Sequence, residues 1–169
     1  ELTTGDFRAL HERTQRALSW GDLYLLAVDA TGQQRLNTRV PYDTALGKTS
    51  DLETLQKAMG SRRIEVSDVF FGRTSSQWVF NVVYPVDTSS SSGIAALILT
   101  QNASDLAQSL VGSALPVGWS SAVVDQKGDI VAASGSEGKP GDQFSPTIRD
   151  FVEKQTDDYV MELDGQRML

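Results

Sequence analysis

Val28-Asp29-Ala30-Thr31-Gly32, closing on Thr38, returns 96 positions later as Val124-Asp125-Gln126-Lys127-Gly128, closing on Ser134. An Asp-x-x-Gly step between apolar runs supplies a carboxylate that bonds its own turn and a glycine free to take positive φ. Each copy therefore predicts a β-hairpin. Leu23, Leu25 and Ala27 alternate with Tyr24, Leu26 and Val28, so the strand entering the first hairpin is apolar on both faces, as in a central strand. Ser121 to Val124 enters the second. Downstream, Gly47-Lys48-Thr49 precedes a helical stretch from Asp51 to Met59, and Gly138-Lys139-Pro140 precedes another from Pro146 to Gln155. Solenoid repeats run about 20 to 50 residues, so recurrence at this longer period predicts two tandem modules.

Composition narrows the function classes. With 40% apolar and 22% charged residues in a chain of 169, a packed core is expected. The net charge of −7 opposes contact with nucleic acid or anionic lipid, both of which require clustered Lys and Arg. The absence of cysteine removes disulfides, thiolate metal sites and thiol nucleophiles together. The longest apolar run, Gly93 to Leu99, is far short of the ~20 residues that cross a bilayer.

From Leu2 to Trp20, Phe7, Leu10, Ala17 and Leu18 fall near helical spacing, with Arg8, Glu12, Arg13 and Arg16 on the remaining surface. This predicts an amphipathic helix, and Glu1 reads as a cut rather than a natural start. Strands are expected at Ile64 to Phe71, Trp78 to Val86 and Gly93 to Gln101, joined by Gly72 to Gln77 and a polar turn from Asp87 to Ser92. Asn102 to Gly112 predicts a helix, and Leu115-Pro116-Val117-Gly118 marks a boundary. The first module is then helix, two strands, helix and three antiparallel strands, an α+β arrangement with five strands. The second repeats hairpin, helix and strand. Asp164-Gly165 is a hairpin turn, and Arg167-Met168-Leu169 opens a further strand. Residues 1–20 thus form a leading helix, 21–117 a first module, and 118–169 a second, smaller and incomplete one.

The order of the long helix, Leu-Tyr-Leu-Leu-Ala-Val-Asp-Ala-Thr-Gly, Asn37-Thr38-Arg39-Val40-Pro41, Val66-Ser67-Asp68-Val69-Phe70 and the second Val-Asp-x-x-Gly resembles the double Cache (PDC, double PAS-like) extracytoplasmic sensor domain. The resemblance implies a periplasmic domain held between two transmembrane helices outside this chain. The parent is first a sensor histidine kinase, alternatively a chemoreceptor or diguanylate cyclase. It implies a small-molecule ligand in the membrane-distal module, the one from 21 to 117, and a homodimer packed along the first helix. It implies no catalysis, cofactor or metal in this domain. Members that bind amino acids carry Arg-x-Trp-Tyr after the second strand and an Asp further on. Here that stretch is Arg39-Val40-Pro41-Tyr42, and only the later Asp finds a match, in Asp68. The amino-acid motif is not intact.

The candidate ligand residues are Arg39, Tyr42, Asp68, Phe70, Trp78 and Asn81, each weighed against a plainer role. Asp68 ends an alternating strand, where a carboxylate accepts from a ligand ammonium or hydroxyl, or simply bonds backbone amides. Arg39, beside Pro41 with Tyr42, either clamps a carboxylate or forms a surface ion pair. Phe70 closes the Val-Ser-Asp-Val-Phe segment. Trp78, Phe80, Val82 and Tyr84 share one strand face, where core packing is the better expectation. Asn81, an amide among apolar neighbours, needs partners, and a ligand is one candidate. His11 has neither Cys nor a second His and is expected to be solvated on its helix. Gly47-Lys48-Thr49 lacks the upstream glycine of a phosphate loop. Asp157, Asp158 and Glu162 are expected to form a solvated edge. The competing function is a module that binds a periplasmic partner protein. A filled core with Asp68 and Asn81 paired internally would favour it.

Overall fold

A computed structural model describes residues 6–19, 21–86, 93–111, 115–117, 119–135 and 138–144, and the backbone of 161–163 and 166–168. The expected turn at Asp87 to Ser92, the helix from Pro146 to Gln155, the Asp164-Gly165 turn and the side chains of Asp157, Asp158 and Glu162 lie outside these residues.

The chain is α+β. Helix α1 (Phe7–Leu18) leads into strands β1 (Leu23–Val28) and β2 (Gln34–Asn37), followed by helix α2 (Leu52–Ser61). Strands β3 (Glu65–Val66), β4 (Phe70–Gly72), β5 (Gln77–Pro85) and β6 (Ala96–Asn102) come next, then helix α3 (Ala103–Val111). A second hairpin pairs β7 (Ala122–Val124) with β8 (Ile130–Ala133), and β9 (Met161–Leu163) pairs antiparallel with β10 (Gln166–Met168). The main sheet runs β2-β1-β6-β5-β3, with β4 also paired to β5, and every pairing in it is antiparallel. As its apolar faces predict, β1 is central.

Both Asp-x-x-Gly turns form, with matching hydrogen bonds. Asp29 Oδ1 accepts from the amides of Thr31 (2.9 Å) and Gln33 (3.1 Å), while Asp125 Oδ1 accepts from those of Lys127 and Asp129 (2.9 Å each). Gly32 takes φ +81° and Gly128 φ +78°, a region L side chains avoid. The Thr38 hydroxyl accepts from Leu25 N–H at 2.9 Å, and the Ser134 hydroxyl accepts from Ser121 N–H at 2.8 Å. Each incoming strand carries an irregularity at the same place, Ala27/Val28 and Val123/Val124.

One expected strand is corrected. Ile64 to Phe71 does not run unbroken but divides into β3 and β4 around Ser67–Val69, which gives the main sheet six strands rather than five. The Ser67 hydroxyl accepts from Asn81 N–H at 2.8 Å, in the role a strand carbonyl would fill, and donates to Asp68 O at 2.7 Å. Val69 N–H leaves the ladder altogether and donates to Asp125 Oδ2 of the second hairpin at 3.0 Å. The strand breaks because a distant turn captures its amide.

The two sheet faces are covered differently. On one, Leu26, Val28, Val83, Ala96 and Ile98 pack under Leu55 and Ala58 of α2. On the other, Phe7 and Leu10 of α1 lie against Ala27 and Leu36, while Val131 of the second hairpin joins Val69, Ala103, Phe80 and Leu106. At roughly 25 cal/mol per Å² of apolar surface removed from water, these clusters supply the main stabilisation of the sheet.

Candidate functional site

The face beneath α2 changes character along the strands. Leu26, Ile98 and Val83 form an apolar row, and the next row is Tyr24, Thr100 and Asn81. Asn102 and Val79 pair beyond it. Helix α2 covers the apolar rows, so the polar end is roofed by loops instead. A small cavity of about 40 Å³ lies there, walled by Leu26, Asn37, Val79, Asn81 and Thr100 from the sheet and closed by Arg39, Phe70 and the turn after β4 carrying Arg73.

Buried polar groups must find partners, and here they find one another. Thr100 Oγ1 donates to Asn81 Oδ1 at 2.7 Å, and Asn81 Nδ2 donates to Asp51 Oδ2 at 3.1 Å. Asp51 is also the N-cap of α2, where its Oδ1 accepts from Thr54 N–H at 3.1 Å, so the helix cap and the Asn81 side chain share one carboxylate that is not itself part of the cavity wall. Asn37 Nδ2 donates to Gln34 Oε1 at 2.8 Å, and Asn37 Oδ1 accepts from Arg39 N–H at 3.0 Å. The Arg39 guanidinium stacks on Tyr24, 3.7 Å from the ring centre, and donates to Asn102 Oδ1 at 2.8 Å. Burial lowers its pKa, an effect that Tyr24, Asp105 and Asp22 offset only in part.

A second, wider groove of about 380 Å³ adjoins this cavity, between the start of α2, the β3–β4 break and the second hairpin. Asp68 and Phe70 line it, and Asp68 Oδ2 meets Lys127 Nζ at 3.0 Å. The hydrogen bond and charge of Asp68 raise the Lys127 pKa.

Of the six residues singled out from sequence, Arg39, Phe70 and Asn81 meet at the cavity, and Asp68 and Phe70 meet at the groove. Tyr42 and Trp78 stand elsewhere. Tyr42 sits edge-on to His11, with Arg8 4.7 Å over its ring, and ties the loop after β2 to α1. Trp78 lies on the outer sheet face, 5.9 Å from Phe71 and against Gly141 of the segment after β8. His11 is also corrected: it is buried, not solvated, and its Nε2 lies 2.9 Å from Val40 O and 3.3 Å from Asn37 O. With Gln15 Nε2 donating to Thr38 O at 2.9 Å, α1 grips the strand end that carries Arg39. Sequence reasoning missed Asn37, Arg73, Thr100 and Asn102. A period-two count along β6 would have marked Thr100 and Asn102, which fall on the same face as Ala96 and Ile98 and continue that apolar row with polar side chains.

No protein-family model matches the sequence, and no curated protein sequence matches it. Solved structures do match in shape. The extracellular domain of rpHK1S-Z16, assigned as a histidine kinase, superposes at a TM-score of 0.73 with 16% identity, over 95% of this chain and 69% of that one. The ligand-binding domain of the Campylobacter jejuni chemoreceptor Tlp3, in complex with L-valine, superposes at 0.57 with 18% identity over 90% of this chain. The sensor domain of the V. cholerae histidine kinase DctB superposes at 0.54 with 15% identity over 88% of this chain. The chain spans 61% of the Tlp3 domain and 55% of the DctB domain. It has the fold of extracytoplasmic sensor domains.

Proposed function

We propose that the chain is an extracytoplasmic sensing domain of a transmembrane signal-transduction receptor, a histidine kinase first and a chemoreceptor second. The observation that carries this reading is the superposition of 95% of the chain on the extracellular domain of rpHK1S-Z16, with a polar cavity beneath its sheet. A small molecule binds at the polar end of the sheet, beside Arg39, Phe70 and Asn81, and the domain performs no catalysis. Residues 21–117 form the ligand-binding module, and 118–169 repeat its opening hairpin, a division supported by the matching Asp29 and Asp125 turns. Helix α1 is the output lever, because His11 and Gln15 bind the strand end next to the cavity. Two copies pack along α1, so that ligand affects the receptor only by favouring one arrangement of the pair.

A thermal-shift screen against amino acids, organic acids, amines and sugars tests this reading. A ligand at about 100 times its dissociation constant adds ~2.7 kcal/mol, a readily visible shift. A stabilising compound whose effect disappears in Asn81→Ala supports the cavity. A flat response to all four classes favours the second reading, a module that binds a periplasmic partner protein. The internal pairing of Asn81 with Thr100 and Asp51, and of Asp68 with Lys127, speaks for that alternative.

A further inference from the structure

We propose that the cavity selects a small organic anion, a carboxylate with no ammonium group, gripped between Arg39 and Arg73; this rests on the sensing role proposed above and specifies its ligand. The walls hold two guanidinium groups, three carboxamides, several hydroxyls and no Asp or Glu. In a chain of net charge −7, Arg8, Arg35, Lys57 and Lys127 each meet a carboxylate. Among the described residues, the cavity's two arginines hydrogen-bond only to neutral groups, while the charges of Asp105 and Asp22 act on Arg39 from further off. Arg39 donates to the Asn102 amide and lies on the Tyr24 ring. Arg73 donates from Nε to Ser50 Oγ at 3.1 Å and reaches the carbonyls of Lys48 and Thr49 at 3.4 and 3.3 Å.

The three amide oxygens, by contrast, each already accept a bond. Asn81 Oδ1 takes the Thr100 hydroxyl, Asn37 Oδ1 takes the Arg39 amide, and Gln34 Oε1 takes the Asn37 amide. An incoming ammonium would find no carboxylate in the lining and only amide oxygens that each already accept one bond. An incoming carboxylate would find two forked donors. With the turn after β4 in place the cavity holds little more than a water or two, so the ligand enters as that turn lifts and its carboxylate takes over the Arg73 bonds to Ser50 and the two carbonyls.

The test is calorimetric titration of this domain with matched pairs, propionate against alanine and succinate against aspartate, with putrescine and glucose alongside. The expected result is that the anion of at least one pair binds ten-fold or more tighter than its amino acid. Arg39→Gln and Arg73→Gln each weaken that binding at least ten-fold, whereas Arg35→Gln, paired to Asp29 on the surface, leaves it unchanged. Arg73 lies on an exposed turn, so its variant reports even where Arg39→Gln fails to fold. Equal or tighter binding of the amino acids, or indifference of both arginine variants, overturns the anion assignment. Binding of putrescine or glucose with the anions silent overturns it too while leaving the sensing role standing. Silence of every probe against a folded domain counts against both.

Discussion

Asp29 is a half-covered carboxylate with more donors than it needs. Burial pushes its pKa up, but the Thr31 hydroxyl at 2.7 Å, the amides of Thr31 and Gln33 and the Arg35 guanidinium together hold it below the ordinary value of 3.8. A depressed carboxylate stabilises the fold above its unfolded pKa, and that contribution is lost as pH falls through the lower, folded value. Asp29→Asn is therefore expected to be about 1 kcal/mol less stable than the parent near neutrality. The gap should close below pH 3.8, which urea midpoints measured across the acid range would show. The repeated phrase made this residue legible in advance, since the carboxylate bonds amides two and four positions on. Asp125 was legible only in half, because its second oxygen serves Val69, 56 residues away in the chain.

At the scale of elements, α2 and the second hairpin are each fastened to the sheet by a side chain with two duties. Asp51 caps α2 with one oxygen and holds Asn81 with the other. Asp51→Ala should lose about 1 to 3 kcal/mol, combining the cap with a buried amide left unpaired. Asp51→Asn, which keeps a capping oxygen, should lose less, with helix content by circular dichroism and the denaturation midpoint as the readouts. Across the groove, the raised pKa of Lys127 means its pairing with Asp68 stabilises the fold below the unfolded value of 10.5 and is lost as pH rises beyond that through the folded value. Lys127 is 61% exposed, so solvent screening limits the effect to under about 1 kcal/mol. Alkaline melts should converge with those of Lys127→Met above pH 10.5.

For the molecule as a whole, one contact that joins the main sheet to the second hairpin's surroundings is between the outer face of β5 and the segment after β8. Gly141 takes φ +86°, and a Cβ built there would run into the Trp78 ring. Gly141→Val is expected to cost about 2 kcal/mol or more and to red-shift the Trp78 fluorescence as that segment is displaced. A cavity distorted through β5 would lose its ligand response in the same variant. A variant with unchanged fluorescence and stability would show that the segment carries no load.

Period and turn chemistry by themselves determined the hairpins at Asp29 and Asp125, the central place of β1, the α+β class and the pairing of β5 with β6. Those are local or nearest-neighbour properties, written in the alternation of Leu23 to Val28 and in glycines that tolerate positive φ. Only the tertiary structure decided the break between β3 and β4, the burial of His11, the placing of Tyr42 and Trp78 away from the cavity and the presence of both Arg39 and Arg73 in its lining. Each depends on residues far off in the chain, such as Asp125 for Val69, 56 positions away, or Asn37 and Val40 for His11, 26 and 29 positions away. Periodicity states which face a side chain occupies, but what lies across from that face is fixed by how the covering elements dock.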